Sequence, residues 1–224
     1  MNNLKFENFS NALGEFQLSM KSDYFEFSKR IDSIRYIFGG SFKIDRNKLI
    51  CNQFNAGICF EELEDFIIPT LVEAQVLGKS AIAKEQWTVK ISKNHLLGKS
   101  KFDLAVYDEI EYDKSKISEF QSKIEEAFEG KVQLFFSEWT SIRELQDPFQ
   151  KLNINECTNV LGDAGIFKKL YVLRKYNRER YDIFFDFLIN NFLEASKNDP
   201  YEVLFKRYNH AVNLLGKKLE STFN

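Results

Sequence analysis

Few residues in this 224-residue chain could do chemistry on their own. Histidine occurs only at His95 and His210, and cysteine only at Cys51, Cys59 and Cys157. Two distant histidines with no cysteine beside them do not make a zinc site without added carboxylates. The cysteines are odd in number, widely spaced and free of any CxxC. That argues against a disulfide framework, a zinc ribbon and a redox dithiol, and predicts buried thiols. A nucleophilic couple of Cys157 with either histidine would need the fold to join them. The sequence holds no HExxH and no GxSxG elbow.

Leu-Gly-Lys-Ser occurs at 77–80 and again at 97–100. A phosphate loop needs a further glycine five positions earlier, where Glu73 and Lys93 stand. The two copies read instead as a helix C-cap at Gly78 and a loop at Gly98. A metal-dependent nuclease would pair an acid on one strand with acid-x-Lys on the next. Asp103 and Glu138 have the right types, but no lysine follows Glu138 at that spacing. Arg207 and His210 have the residue types of a helical RNase pair, with only two residues between them.

Charge is more informative, because it is segregated. Residues 103–129 carry nine acidic side chains and three lysines, a net of −6. Within them Asp108, Glu109, Glu111 and Asp113 form a candidate binding segment for a basic partner. Residues 168–180 carry six basic side chains and one acid, a net of +5, in a chain whose formal net charge is −2. Lys168, Lys169, Arg174, Lys175, Arg178 and Arg180 alternate there with Tyr171, Tyr176 and Tyr181. Cations on phosphates and rings on bases would make a nucleic-acid surface. A solvated helix face paired with the protein's own acids is the competing explanation.

The elements that must position these residues follow from apolar spacing. Tyr24, Phe27, Ile31, Ile34 and Phe38 predict a helix over 22–38, stopped by Gly39-Gly40. Residues 41–52 predict a hairpin turning at Asp45-Arg46-Asn47. A helix is expected over 60–77, with Pro69 kinking it or opening a second one. Two strands are expected within 84–108, then a helix over 115–129 ended by Gly130, and a strand from Val132 to Phe136. Asp147-Pro148 and the polar stretch 153–159 read as a connection and domain boundary. Residues 164–196 are helical in pattern, and Asp199-Pro200 starts a last helix as its antiparallel neighbour.

The expected fold class is α+β. A small mixed or antiparallel sheet with packed helices fills residues 1–155, and an all-helical region, 156–224, packs on it as one globule. With 44% hydrophobic and 29% charged residues the chain can bury a core without disulfides or metal. Its 23 phenylalanines fit an AT-rich, low-GC bacterial or phage genome, or a surplus of Phe at a partner surface. No signal peptide or membrane span is evident, so a cytoplasmic location is expected. Asn8-Phe9-Ser10 fits the glycosylation sequon, which carries no meaning without secretion. The missing catalytic constellations point to a non-enzymatic interaction protein, of the kind that serves as an immunity, inhibitor or defence component. It would need no cofactor or metal, and it would bind a protein partner or another copy of itself. The alternative is an RNase-like or nuclease-like protein acting on nucleic acid or nucleotides through residues 168–180.

Overall fold

Phe25 and Phe27 alternate with Glu26 and Ser28, and this period of two decides the N-terminal region. The computed structural model describes residues 6, 9, 11–21, 23–46, 48–82, 87–162, 164–199 and 201–223. After a short helix α1 (Asn11–Gly14) come β1 (Gln17–Met20), β2 (Tyr24–Ile31), β3 (Ile34–Asp45) and β4 (Lys48–Phe60). The helix expected over 22–38 is therefore a pair of antiparallel strands, with Phe27 opposite Phe38. Its apolar residues fit both periods, and the aromatic and β-branched side chains favour the pleated surface. Asp32, at φ 52°, turns the chain between them. Gly39 and Gly40 lie inside β3 rather than ending a helix. A Cβ on Gly39 would stand 2.5 Å from the Phe25 carbonyl oxygen, and one on Gly40 2.6 Å from the Phe54 ring. The hairpin expected over 41–52 is present as the end of β3 and the start of β4, with Arg46 at φ 53°. Asn47 lies outside the described residues.

The chain folds as two compact units, Met1–Cys59 with Trp87–Thr140, and Phe60–Gln86 with Ser141–Asn224. In the first, β5 (Val89–Lys90) and β6 (Glu111–Asp113) both pair with β4. Among the described residues the six strands form one antiparallel sheet, ordered β1-β2-β3-β4-β5 with β6 beside β4. The two strands expected within 84–108 shrink to β5. Phe102 to Leu104 is irregular and Ala105–Tyr107 is a 3₁₀ turn, which Asp103 starts by accepting the Ala105 N–H at 2.9 Å. Residues 84–86 lie outside the described residues.

Next, α3 (Ile117–Ala127) runs through a π-helical turn, Phe128–Val132, into α4 (Gln133–Ser137). The expected stop at Gly130 and strand at 132–136 are thus helical. Gly130 faces open space, so it costs the helix only its entropy, about 1 kcal/mol. Burial of Phe128, Val132, Phe135 and Phe136 outweighs that. Phe25, Phe38, Phe54 and Phe120 form the aromatic centre, with Phe25–Phe54 and Phe38–Phe54 centroids 5.7 Å apart. Among the described residues Phe187 is the only phenylalanine with a largely exposed side chain. The phenylalanine surplus is therefore mainly core.

The second unit is helical: α2 (Glu61–Glu73), α5 (Gln146–Lys151), α6 (Ile154–Leu161), α7 (Gly165–Tyr176), α8 (Arg178–Asn198) and α9 (Glu202–Thr222). Pro69 stays inside α2. The connection expected over 153–159 is α6, opened by a reciprocal cap. Asn153 Oδ1 accepts the Glu156 N–H at 3.0 Å, and Glu156 accepts the Asn153 N–H at 2.8 Å. Pro148 sits in the first turn of α5, where a missing N–H is harmless. Residue 155, the expected boundary, thus falls within a helix. The helical unit also takes in α2, whose buried Leu63, Ile67 and Leu71 need the cover of other helices. Phe66 of α2 meets Tyr171 of α7 at 5.2 Å. The expected antiparallel pair is α8 and α9: Phe192 packs on Tyr208, and Phe185 lies over Gly216. Asp199 Oδ1 accepts the Tyr201 N–H at 2.7 Å where α9 begins. Pro200 is outside the described residues. No helix among the described residues is long and apolar enough to cross a membrane.

Candidate interaction surfaces

The basic run 168–180 is not one helix. Asn177 breaks it, and its side chain caps α8 by accepting the Arg180 N–H at 3.1 Å. Three of the run's six cations are buried. Lys168 is 2% exposed and pairs with Glu64 of α2 at 2.8 Å. The buried Lys169 donates to the Leu152 carbonyl and lies 4.4 Å from the centre of the Phe184 ring. Burial holds its ammonium below the usual lysine range. Arg174, also buried, forks onto Glu220 at 3.0 and 3.3 Å and reaches the Phe223 carbonyl at 3.1 Å. Lys175 pairs with Glu62 at 2.6 Å. Arg178 contacts both Asp182 and Glu220 at 3.0 Å. Arg180 stands exposed on the first turn of α8.

Tyr171 and Tyr181 are buried, and burial pushes the Tyr181 hydroxyl up to about 12. Of the side chains expected to form the surface, Arg178 and Arg180 are exposed and Lys175 and Tyr176 partly so, while the other three cations are buried. The counter-charges come from α2, α8 and α9 rather than from residues 103–129. An i,i+4 reading of α7 alone could not show carboxylates arriving from other helices.

The acidic segment is also tied into its own unit. Asp108 Oδ1 accepts the Phe54 N–H of β4 at 3.1 Å, and burial raises the pKa of this carboxyl. Glu109, at φ 60°, uses its N–H on the Cys51 carbonyl at 2.7 Å and leaves its side chain exposed. Glu111 pairs with Lys48 across β6 and β4. Asp113 accepts from the Ser115 N–H at 2.8 Å and the Ser115 hydroxyl at 2.6 Å, which hold its carboxyl below the usual range. Three of the four candidate carboxylates thus pin residues 107–115 to the sheet or to their own turn.

The remaining chemistry is muted. All three cysteines are buried, and burial pushes the Cys51 and Cys157 thiols up to about 12 and 11. Such thiols are protonated and shielded, which leaves no thiolate for a Cys–His couple. Gly78 precedes a 3₁₀ turn and does not cap α2, whose C-cap is Ala74. Gly98 closes the 3₁₀ turn Ile91–Leu97 in the left-handed conformation, φ 74°. Glu138 accepts from Asn94 and from the Ser100 N–H, so its carboxylate serves a loop. Among the described residues no group of three or more His, Cys, Asp or Glu could hold a metal ion.

The most unusual surface is apolar. Six of the eleven largely exposed, large hydrophobic side chains among the described residues fall between 183 and 204. Ile183 is 60% exposed and Phe187, one turn later, 52%, on the face of α8 opposite the buried Tyr181, Leu188 and Phe192. Leu193, Tyr201, Val203 and Leu204 continue the set around the α8–α9 tip. Asp186, Glu194, Lys197 and Lys206 are exposed among them. A shallow groove of about 480 Å³ lies at the base of the hairpin, bordered by Tyr181, Phe185, Gly216 and Glu220. A signal for the exposed set was present in the sequence. Apolar residues of α8 occur all round the helix, which a helix packed on one side cannot bury. Comparison of the chain with protein-family models, with curated proteins and with solved structures finds no match to any of them.

Proposed function

We propose that this chain is a non-enzymatic interaction protein, acting in the cytoplasm in the manner of an immunity or inhibitor protein. It docks another protein on the outer face of α8 and the α8–α9 tip. The observation that supports this reading is the exposure of Ile183 and Phe187 on one face of α8, and of Leu193, Tyr201, Val203 and Leu204 towards its far end and the start of α9. Large exposed apolar side chains interspersed along the helices with exposed charges of both signs have the composition of a docking patch. Protonated, buried thiols and carboxylates engaged in turns and ion pairs add no chemistry to compete with it. Buried free cysteines also suit a reducing compartment.

The test is reconstitution. The full chain is used to capture protein from its own cell extract, the captured chain is purified, and binding is measured between the two pure proteins. Replacing Ile183→Ser together with Phe187→Ser should weaken that binding at least 30-fold, since central apolar anchors carry about 2 kcal/mol or more. The helical circular dichroism should stay unchanged. A purified complex of undiminished affinity would overturn the reading. So would light scattering that shows the apolar face covered by a second copy with no other protein bound.

A further inference from the structure

The exposed apolar pair of α8, Ile183 and Phe187, has charged neighbours, and they differ in how they are used. The helices α8 and α9 carry six carboxylates: Glu179, Asp182, Asp186, Glu194, Glu202 and Glu220. Four of them are ion-paired. Asp182 and Glu220 meet Arg178 at 3.0 Å, Glu194 meets Lys197 at 2.6 Å, and Glu202 meets Lys206 at 3.3 Å. Glu179 and Asp186 are exposed, and neither has a hydrogen bond or an ion pair among the described residues. The sequence of α8 accounts for this. No lysine or arginine of that helix stands three or four positions from either acid, so the helix cannot neutralise them itself. The positive end of the α8 dipole suits Glu179 in the first turn, but it does not reach as far as Asp186.

Both acids lie beside the apolar pair. Each residue of an α-helix advances about 100° around the axis. Glu179 and Asp186, seven positions apart, therefore stand almost in line, about 10 Å from each other along the helix. They form one edge of the stripe made by Ile183 and Phe187. Arg180, exposed, stands beyond the other edge.

We propose that the partner docks here with an amphipathic helix, whose apolar stripe covers Ile183 and Phe187 and whose basic edge lies along Glu179 and Asp186. This inference rests on the docking role of α8 proposed above and adds the shape and charge of the partner. A helix buries a one-sided stripe by lying along a second helix, ridges into grooves. Lysines or arginines seven positions apart on the partner match the spacing of the two acids. Arg180 repels the basic edge from the other side of the stripe, so the charges select one orientation.

The probe is a fluorescein-labelled peptide of about 18 residues, five helical turns, with a leucine stripe, lysines along one edge of it and glutamine elsewhere. Its counterpart carries glutamates in place of the lysines. Both are titrated with the full chain and followed by fluorescence anisotropy. The lysine peptide should bind at least tenfold tighter than the glutamate peptide, and added salt should narrow the gap. Glu179→Gln with Asp186→Asn should bring the two peptides within about threefold of each other, and Glu179→Lys with Asp186→Lys should reverse the preference. Glu129→Lys, which changes an exposed acid of the π-helical turn after α3, should leave the preference within about twofold. Circular dichroism of each variant should match that of the unaltered chain. Ile183→Ser with Phe187→Ser should release both peptides. If the serine pair leaves the lysine peptide bound, the docking role of α8 falls and this inference with it. If the serine pair releases both peptides while the charge variants keep the preference, the docking role stands and this inference is overturned. Equal binding of the two peptides by the unaltered chain overturns it as well.

Discussion

Two stretches of this molecule are rich in cations, and the fold uses them in opposite ways. In residues 168–180 Lys168, Lys169 and Arg174 are buried, and their charges meet carboxylates or carbonyls of other helices. In residues 87–102 the buried Asn94 ties Ser100, Glu138 and Trp139 into a polar knot, while Lys90 and Lys101 are exposed and Lys93 and Lys99 half-buried. The denser run is the structural one. Cations on a helix whose every face meets another helix can reach carboxylates from several sides. On a loop backed by one polar knot, Lys90 and Lys101 are left facing outward. Charge density along the chain does not distinguish these cases; the number of elements packed around the segment does.

Breaking the knot should cost most. Asn94→Ala strands the Trp139 N–H, the Glu138 carboxylate and the Ser100 carbonyl, and about 3 kcal/mol of stability should be lost in urea unfolding. If the loss is small, the loop is not held as described. On the other side of the comparison, Arg174→Ala should cost about 2 kcal/mol. Its partner Glu220 is about a third exposed and keeps Arg178, which limits the damage. Adding 0.5 M salt should change that cost little, because the guanidinium side of the pair is buried. Asn153→Ala should cost about 1 kcal/mol by removing the reciprocal cap of α6, and Asn153→Ser should recover most of it.

The smallest effect concerns Asp108. Its folded pKa is raised by burial, so the unfolded chain releases this proton more readily, and the ionised group destabilises the fold at neutral pH. That penalty fades as pH falls through the raised folded pKa towards the unfolded value. Asp108→Asn keeps an oxygen acceptor for the Phe54 N–H. It should therefore leave stability at pH 7 unchanged or higher by under 1 kcal/mol, and the gain should vanish below about pH 4. Thermal melts at pH 7 and pH 3.5 would show it.

Much of the architecture was legible in the residues. The mixed class, the hairpin at Asp45-Arg46, the helix carrying Pro69 and the antiparallel α8–α9 pair all follow from local spacing and turn chemistry. The errors share a cause. Phe27, Ile31, Ile34 and Phe38 satisfy a helical period as well as a strand period, and only pairing across Asp32-Ser33 chooses between them. Val132 to Phe136 carries strand propensity, yet burial against the aromatic centre outweighs it together with Gly130. The polar letters of 153–159 hid a helix because Asn153 and Glu156 are cap residues rather than loop residues. At the candidate sites the carboxylates facing α7 lie more than a hundred positions earlier, in α2, or 46 later, in α9. No local pattern could connect them. The apolar excess of α8 was visible in the sequence.

Lysine-acetylation footprinting of the native full chain by mass spectrometry tests the contrast between the two basic segments most directly. Lys90 and Lys101 should be modified early, while Lys168 and Lys169 should resist until the chain is unfolded in urea. Modification of Lys168 and Lys169 at the rate of Lys101 in the folded protein would contradict the account. It would return the run 168–180 to the surface.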